Sequence, residues 1–345
     1  MQTSRIRKAR SAQTRRVGSV AATRYPVPKT MRAIAVERYG GPDVLTLEEL
    51  PVPELGPKEV LIAVHTAGVG GWDADIREGW NPGGSIRFPL VLGTDGSGTI
   101  AQLGTRVRRF KMGDQVYSYS WNNPKGGFYA QYIVVSAELV APFPQPPLDL
   151  EHAGAVPTTG LTALQGIADH LDVQTGEHVM IHGASGAVGT LAIQFAKERG
   201  AKVLAVASGR DGTALARRLG ADAVVDGHRD DFVEAAFKFA LKGVDAVLVL
   251  GSGDSVLRCL DALRRGGRLA YPNGVEPTLK KGHGLRVIAY DAKAGIREFE
   301  KLNRTVRKAN LQVPIAAEFS LDQAAEAHRR IDQGHVLGKI VLLVR

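Results

Sequence analysis

The stretch Val179-Met180-Ile181-His182-Gly183-Ala184-Ser185-Gly186-Ala187-Val188-Gly189 sets an apolar run ahead of a glycine-rich turn and an amphipathic run behind it. That order suits a pyrophosphate. Gly186 lets the backbone approach the phosphates, and Gly189 lets the following helix pack closely on the strand. The first N–H groups of that helix lack intrahelical partners, and with the helix dipole they favour an anion. The stretch departs from G-x-G-x-x-G at one place: Ala184 replaces the first glycine, with Gly183 just before it. The next apolar run ends in Ser208-Gly209-Arg210. A site for NAD usually carries a carboxylate at the end of this strand, on the ribose 2′-OH. Here that end carries none. The Ser208 hydroxyl can donate to a 2′-phosphate, and the Arg210 guanidinium can pair with it. The residues therefore predict a Rossmann site for NADPH rather than NADH.

Such a site needs a scaffold, and the patterning implies one. From 31 to about 142, short apolar runs at 31–36, 59–66, 98–103, 115–119 and 129–135 are separated by Gly/Pro turns such as Gly40-Gly41-Pro42 and Asn123-Pro124-Lys125-Gly126-Gly127, which predicts a β-rich unit. Residues 151–172 change to helical spacing, interrupted at Thr158-Thr159-Gly160. Strands at 178–182, 202–207, 223–226, 245–250, 268–271 and 286–290 then alternate with helices at 187–199, 213–219, 232–241 and 255–263. Alternation with runs of Val, Ile and Leu argues for a parallel sheet covered on both faces. β character returns at 312–318 and 339–344, around a helix at 321–333.

Length and charge bound the remaining readings. A chain of 345 residues with 44% hydrophobic and 23% charged residues fits two ordinary globular domains. The formal charge is +9, yet Arg5, Arg7, Lys8, Arg10, Arg15, Arg16, Arg24 and Lys29 stand in residues 1–30 with no acid among them, leaving about +1 for the rest. The basicity belongs to a tail, not to a surface of the folded body. That tail has too little apolar material to bury a core, which predicts disorder. Its composition also fits a mitochondrial transit peptide, or an extension without function. No run of 18 apolar residues suggests a membrane span. The one cysteine, Cys259, excludes a disulfide framework and reads as a small buried hydrophobe.

These motifs, with Gln194 and Lys197 downstream, resemble the zinc-independent quinone oxidoreductases (zeta-crystallin-like) of the medium-chain dehydrogenase/reductase superfamily. Ala67-Gly68-Val69, Phe88-Pro89-Leu90-Val91-Leu92-Gly93, Gly113-Asp114-Gln115-Val116, Gly160-Leu161-Thr162-Ala163 and Gly338-Lys339-Ile340-Val341-Leu342 support the resemblance over residues 31–345. It implies an α/β fold in which a Rossmann doubly wound parallel sheet, 151–310, is inserted in a GroES-like β-rich domain formed by 31–150 and 311–345. The active site would lie between the two, in a homodimer. Gly183, Ala184, Ser185, Gly186, Ala187, Val188 and Gly189 would hold the pyrophosphate, and Ser208 and Arg210 the 2′-phosphate. Gly251 and Ser252 would border the ribose, and Asn273 and Gly274 the nicotinamide, with Lys339 a further candidate for a phosphate contact. In zinc-dependent relatives a Cys stands where this chain has Gly70, and a Gly-His-Glu where it has Thr94-Asp95. The expectation is therefore a site without metal.

Loss of a Lewis acid favours an acceptor that takes hydride readily by itself. The expected function is NADPH-dependent reduction of a quinone or similar carbonyl acceptor in the cytoplasm, or in mitochondria if residues 1–30 are a transit peptide. The alternatives are an enoyl or alkenal double-bond reductase, and a catalytically poor NADPH binder with an RNA-binding tail. The first substrate loop departs from the family's usual Asn-Pro-Val-Asp, reading Gly70-Gly71-Trp72-Asp73, and Asp75 replaces a common tyrosine. Gly70, Trp72, Asp75 and Trp121 are the expected substrate-lining residues. Asp73 has a second reading, as a cap for a helix at 74–78. No residue is assigned as general acid or nucleophile.

Overall fold

A computed structural model describes residues 27–80, 83, 86–279 and 284–345. Most of the basic tail, and with it the expectation of disorder, lies outside these residues. Its last two residues belong to the fold: the Lys29 carbonyl accepts from Val52 N at 3.0 Å, and Thr30 opens the first strand.

The first part of the chain forms β1 (Thr30–Val36), β2 (Thr46–Pro51), β3 (Glu59–Val69), α1 (Gly71–Glu78), β4 (Leu90–Val91), β5 (Asp95–Leu103), β6 (Gln115–Tyr119), β7 (Tyr132–Ser136) and β8 (Val140–Pro142). Then α2 (Leu150–Gly154) and α3 (Pro157–Gln165) lead to β9 (His178–His182), α4 (Ala187–Glu198), β10 (Lys202–Ala207), α5 (Gly209–Arg218), β11 (Ala223–Asp226), α6 (Phe232–Phe239), β12 (Val244–Val249), α7 (Ser255–Arg258), β13 (Leu263–Pro272) and β14 (Arg286–Tyr290). The chain returns through α8 (Ile296–Ala309) to β15 (Ile315–Ser320), α9 (Ala324–Asp332) and β16 (Lys339–Leu343).

The strands from β9 to β14 make one parallel sheet in the order β11-β10-β9-β12-β13-β14. Successive side chains alternate across it. Val179 and Ile181 of β9 enter one core cluster and Met180 enters another, all fully buried. The order reverses at β9, whose neighbours are β10 and β12, so a crevice opens at their carboxyl ends. The remaining strands make a seven-stranded sheet, β15-β16-β3-β5-β6-β8 with β7 on β3, and a three-stranded sheet, β2-β1-β4. The C-terminal β16 pairs antiparallel with β3, so the end of the chain joins a sheet built from its first part.

Two helices differ from the sequence expectation. Thr158-Thr159-Gly160 is no interruption: it lies inside α3, and the break comes earlier, before Pro157 at the helix's first position. The buried threonines bond back to helix carbonyls, Thr159 Oγ1 to Ala155 O at 2.6 Å and Thr162 Oγ1 to Thr158 O at 2.8 Å. The helix expected at 255–263 stops at Arg258, and Leu263 already belongs to β13. Cys259 is fully buried just beyond α7, and burial pushes its thiol up to about 12.

Candidate functional site

The glycine turn sits at the crevice. Gly183 adopts φ +81°, where a side chain is strained, and the N–H groups of Gly183 and Ala184 both donate to Val206 O of β10 at 3.1 and 3.0 Å. Ala184 is fully buried in the core beneath the turn, so the residue that departs from the motif faces protein rather than the crevice. A Cβ on Gly186 would meet only Gly183 O, at 3.5 Å, leaving an open cradle at the start of α4. A Cβ on Gly189 would stand 2.7 Å from Ala184 Cα, so this glycine lets α4 close on the turn. The C-terminal segment fastens across the same place: Gly338 pairs with Gly186 and donates its N–H to Ser185 O at 3.0 Å.

A cleft of about 260 Å³ joins this turn to the other part of the molecule, lined by Gly183, Gly186, Gly70, Trp72, Thr159 and Lys339 among others. Trp72 Nε1 donates to Thr94 Oγ1 at 2.8 Å. A Cβ on Gly70 would collide with the Trp72 indole. Lys339 is 3% exposed, its Nζ has no hydrogen-bond partner, and it lies 4.7 Å from the centre of the Trp72 ring. Its nearest counter-charge is Asp95 Oδ1, at 3.8 Å. The other Asp95 oxygen accepts from Thr158 N at 3.0 Å.

Behind Gly70 lies a buried polar spine that the sequence did not reveal. Asp73 Oδ2 accepts from Gly70 N at 2.8 Å, so this residue reaches back from the first turn of α1 to the cap position. Burial pushes its carboxyl up to about 7, against the Gly70 hydrogen bond and the Lys339 charge. Burial and the nearby Asp73 charge push the Tyr129 phenol up, and its hydroxyl meets His328 Nε2 at 3.1 Å; His328 Nδ1 meets Arg77 Nη1 at 2.9 Å. Arginine only donates, so Nδ1 accepts and Nε2 carries the proton that goes to the Tyr129 oxygen. Burial and the Arg77 charge hold His328 down to about 3, consistent with that neutral tautomer. Arg77, fully buried, also donates from Nε to Gly40 O at 3.0 Å and reaches Glu78 and Asp332.

Of the expected substrate-lining residues, Gly70 and Trp72 line the cleft. Asp75 is exposed on α1 and does not line it. Trp121 also lies off the cleft, packed on Trp80 at 5.9 Å and Tyr119 at 6.5 Å. Gly251 stands beside the glycine turn, where its Cβ would meet the His182 ring at 3.2 Å. Ser252, Asn273 and Gly274 are exposed beyond the carboxyl ends of β12 and β13. Ser252 Oγ accepts from Glu276 N at 3.2 Å, and Asn273 Nδ2 donates to Asp291 at 2.8 Å. Ser208 is the N-cap residue of α5 and Arg210 is exposed in its first turn.

The expectation that this end of β10 is free of carboxylates is corrected. The first turn of α5 folds Asp211 back beside it, and His335 bridges Asp211 to Ser208. That hydrogen bond holds Asp211 below its ordinary value. His335 comes from the far end of the chain, and no local pattern connects it to Ser208.

A larger groove of about 640 Å³, between Pro146, His152, Arg218 and Leu311, contains none of these residues. Among the described residues no group of three or more His, Cys, Asp or Glu could hold a metal ion. His178 and His182, four apart, stand on a strand and bond separately, to Asp245 and Ser255. No helix among the described residues is long and apolar enough to cross a membrane.

Known proteins share this arrangement. The model of the alcohol dehydrogenase GroES-like domain matches residues 56–145, and that of zinc-binding dehydrogenases matches 219–342. The quinone oxidoreductase of Mus musculus is 30% identical, over 92% of this chain and 98% of its own. The structure of the quinone oxidoreductase from Coxiella burnetii superposes with a TM-score of 0.80 at 32% identity, covering 92% of this chain and all of that one. A mycobacterial protein complexed with NADPH superposes with a TM-score of 0.81 at 27% identity, over 91% of this chain and all of its own.

Proposed function

The chain belongs to the quinone oxidoreductase family of the medium-chain dehydrogenase/reductase superfamily, and from that premise we propose that it uses NADPH to reduce a quinone or a comparably electrophilic carbonyl acceptor, without a metal ion. The observation that carries this reading is the single cleft with the glycine turn on one wall and Gly70 and Trp72 on the other.

The residues fit a dinucleotide. The space at Gly186 and the N–H groups opening α4 suit a pyrophosphate. The buried Lys339 ammonium, without a hydrogen-bond partner, supplies a cation toward the same cleft. When bound, NADPH supplies the hydride, and the relative solved with NADPH supports that choice of cofactor. The protein's part is to position and to enclose. The glycine turn sets where the phosphates lie, while the Thr94-anchored Trp72 presents an aromatic wall to a planar acceptor. Holding donor and acceptor in one enclosed space replaces a bimolecular encounter with an oriented one.

The residues do not fit a catalytic zinc. Gly70 has no ligand atom, and the Trp72 indole occupies the space a side chain there would need. Thr94 is engaged by Trp72, and Cys259 is buried in the core of the parallel sheet. No step is assigned to a metal.

The test is NADPH oxidation against a panel of quinones, enones and aliphatic aldehydes, with and without chelator. Quinone turnover that chelator leaves unchanged is the expected result. Preference for enones would move the chain to the alkenal reductases. Absence of turnover with every acceptor would overturn the enzyme reading.

A further inference from the structure

Beside the proposed cradle, three polar side chains from two distant parts of the chain meet. His335, in the turn between α9 and β16, has φ +49°. Its Nδ1 lies 3.1 Å from Ser208 Oγ, and its Nε2 lies 3.0 Å from each carboxylate oxygen of Asp211. Arg330 of α9 pins the turn, donating to Gly334 O at 2.8 Å and His335 O at 3.1 Å. The glycine turn is adjacent: a Cβ on Gly212 of α5 would stand 3.1 Å from Ser185 Oγ. The cluster therefore borders the place where the ribose 2′-position of a dinucleotide on this turn would lie.

We propose that the charge on His335 sets the choice between NADPH and NADH, so that preference for NADPH rises as pH falls. The inference rests on the dinucleotide reading of the cleft. Neutral His335 donates from Nε2 to Asp211 and accepts at Nδ1 from the Ser208 hydroxyl, whose only hydrogen is then committed. In that state the Asp211 carboxylate faces a 2′-phosphate without compensation, while a bare ribose hydroxyl can donate to it. Protonated His335 donates from both nitrogens. It cancels the Asp211 charge, and the Ser208 hydroxyl, now accepting, turns its hydrogen outward to a phosphate. An imidazole makes this change within the physiological pH range.

Other charged groups surround the cluster, and His335 is the imidazole bonded to both Ser208 and Asp211. Arg210 on α5 and Arg330 on α9 stay cationic throughout. Asp226, at the end of β11, accepts from Gly209 N at 3.2 Å and His228 N at 3.1 Å and pairs with Arg229, which holds it below its ordinary value. His228 follows β11 by two residues and donates its backbone N–H to Asp226; its imidazole is common to wild type and any His335 variant, so it cancels in their comparison.

The experiment is fluorescence titration of the full chain with NADPH and with NADH from pH 6 to pH 8.5, comparing the wild type with His335→Gln and Asp211→Asn. Glutamine can keep both hydrogen bonds and cannot take a charge. The 2′-phosphate itself gains a proton near pH 6. That change is common to wild type and His335→Gln, so the difference between their curves isolates the imidazole. The wild-type ratio of dissociation constants should shift toward NADPH at low pH by about threefold more than that of His335→Gln, as expected for one exposed charge pair. Asp211→Asn should favour NADPH at every pH and flatten the curve. Binding of both nucleotides with superimposable wild-type and His335→Gln curves would overturn the switch and leave the cofactor site standing. Binding of neither nucleotide would overturn the cofactor site and the switch together.

Discussion

Gly70 has no side chain because Trp72 leaves no space for one: a Cβ there would fall inside the indole. Gly70→Cys would restore one thiol at the position of a metal ligand in related enzymes and gain no metal. It should instead displace Trp72 from Thr94 and lower quinone turnover at least tenfold, as small misplacements in a reacting site do. Metal analysis of the purified variant, alongside its steady-state rates, checks both halves. Lys339 is the second residue whose surroundings decide its role. A buried ammonium 3.8 Å from a carboxylate and without a hydrogen bond is poised for an anionic partner. Lys339→Met should raise the KM for NADPH about tenfold or more, consistent with loss of one charge-assisted contact, while changing kcat far less. A fall in kcat at unchanged KM would assign Lys339 to the acceptor instead.

Asp73 carries a pH signature at the same scale. Its carboxyl titrates at about 7 in the fold, because burial outweighs the bonds that favour the charged form. An unfolded aspartate ionises near 4. Between those values the native state holds more protons than the unfolded one, so stability falls as pH rises from about 4 through 7. Asp73→Asn cannot ionise and escapes that loss. Relative to wild type, it should gain about 1.4 kcal/mol for each pH unit across that window. Thermal melts of both proteins from pH 4.5 to 8 measure it, and parallel curves would show that Asp73 stays ionised in the fold.

Elements place these residues, and they differ in how plainly the sequence announces them. The central parallel strands are continuous apolar runs because both faces are buried, which is why β9 and β10 are legible to the residue. The helix α8 is hard to read although Phe299, Leu302 and Val306 recur at helical spacing, because its remaining positions are almost all charged or polar. The seat of α1 was not legible at all. Its position depends on Arg77 and Tyr129 meeting His328, residues far apart in sequence. Each is unremarkable alone; only the fold makes a chain of hydrogen bonds from them. Arg77→Met removes the donor that fixes the His328 tautomer and leaves an acceptor buried without a partner. It should destabilise the fold by ~1–3 kcal/mol, the cost of leaving a buried acceptor unsatisfied. Denaturant unfolding reads that loss, and a shift below 1 kcal/mol would show that the spine does not hold α1.

At the scale of the whole molecule, the C-terminal return joins the two halves of the site. β16 joins the sheet of β3 and β5, and on its way there the chain lays His335 against α5, Gly338 across the glycine turn and Lys339 into the cleft. This convergence explains what a sequence reading can and cannot reach. Gly183–Gly189 is legible because strand, turn and helix are local. Asp211 and His335 are not, because 124 positions separate the partners. Gly338 is where the return is most constrained. Its φ is +100°, and a Cβ there would collide with Pro314 O on the segment between α8 and β15. Gly338→Ala should therefore shift the segment bodily, at a cost of ~1–3 kcal/mol for the strained backbone alone. The shift carries Lys339 and His335 away from the turn together. In the wild type, NADPH at a hundredfold excess over its dissociation constant should stabilise the fold by ~2.7 kcal/mol, since only the folded chain binds it. In Gly338→Ala most of that ligand-dependent gain should vanish, with the parallel sheet intact by circular dichroism. A variant that is destabilised yet keeps the full NADPH-induced shift would show that the return strand closes the fold without contributing to the cofactor site.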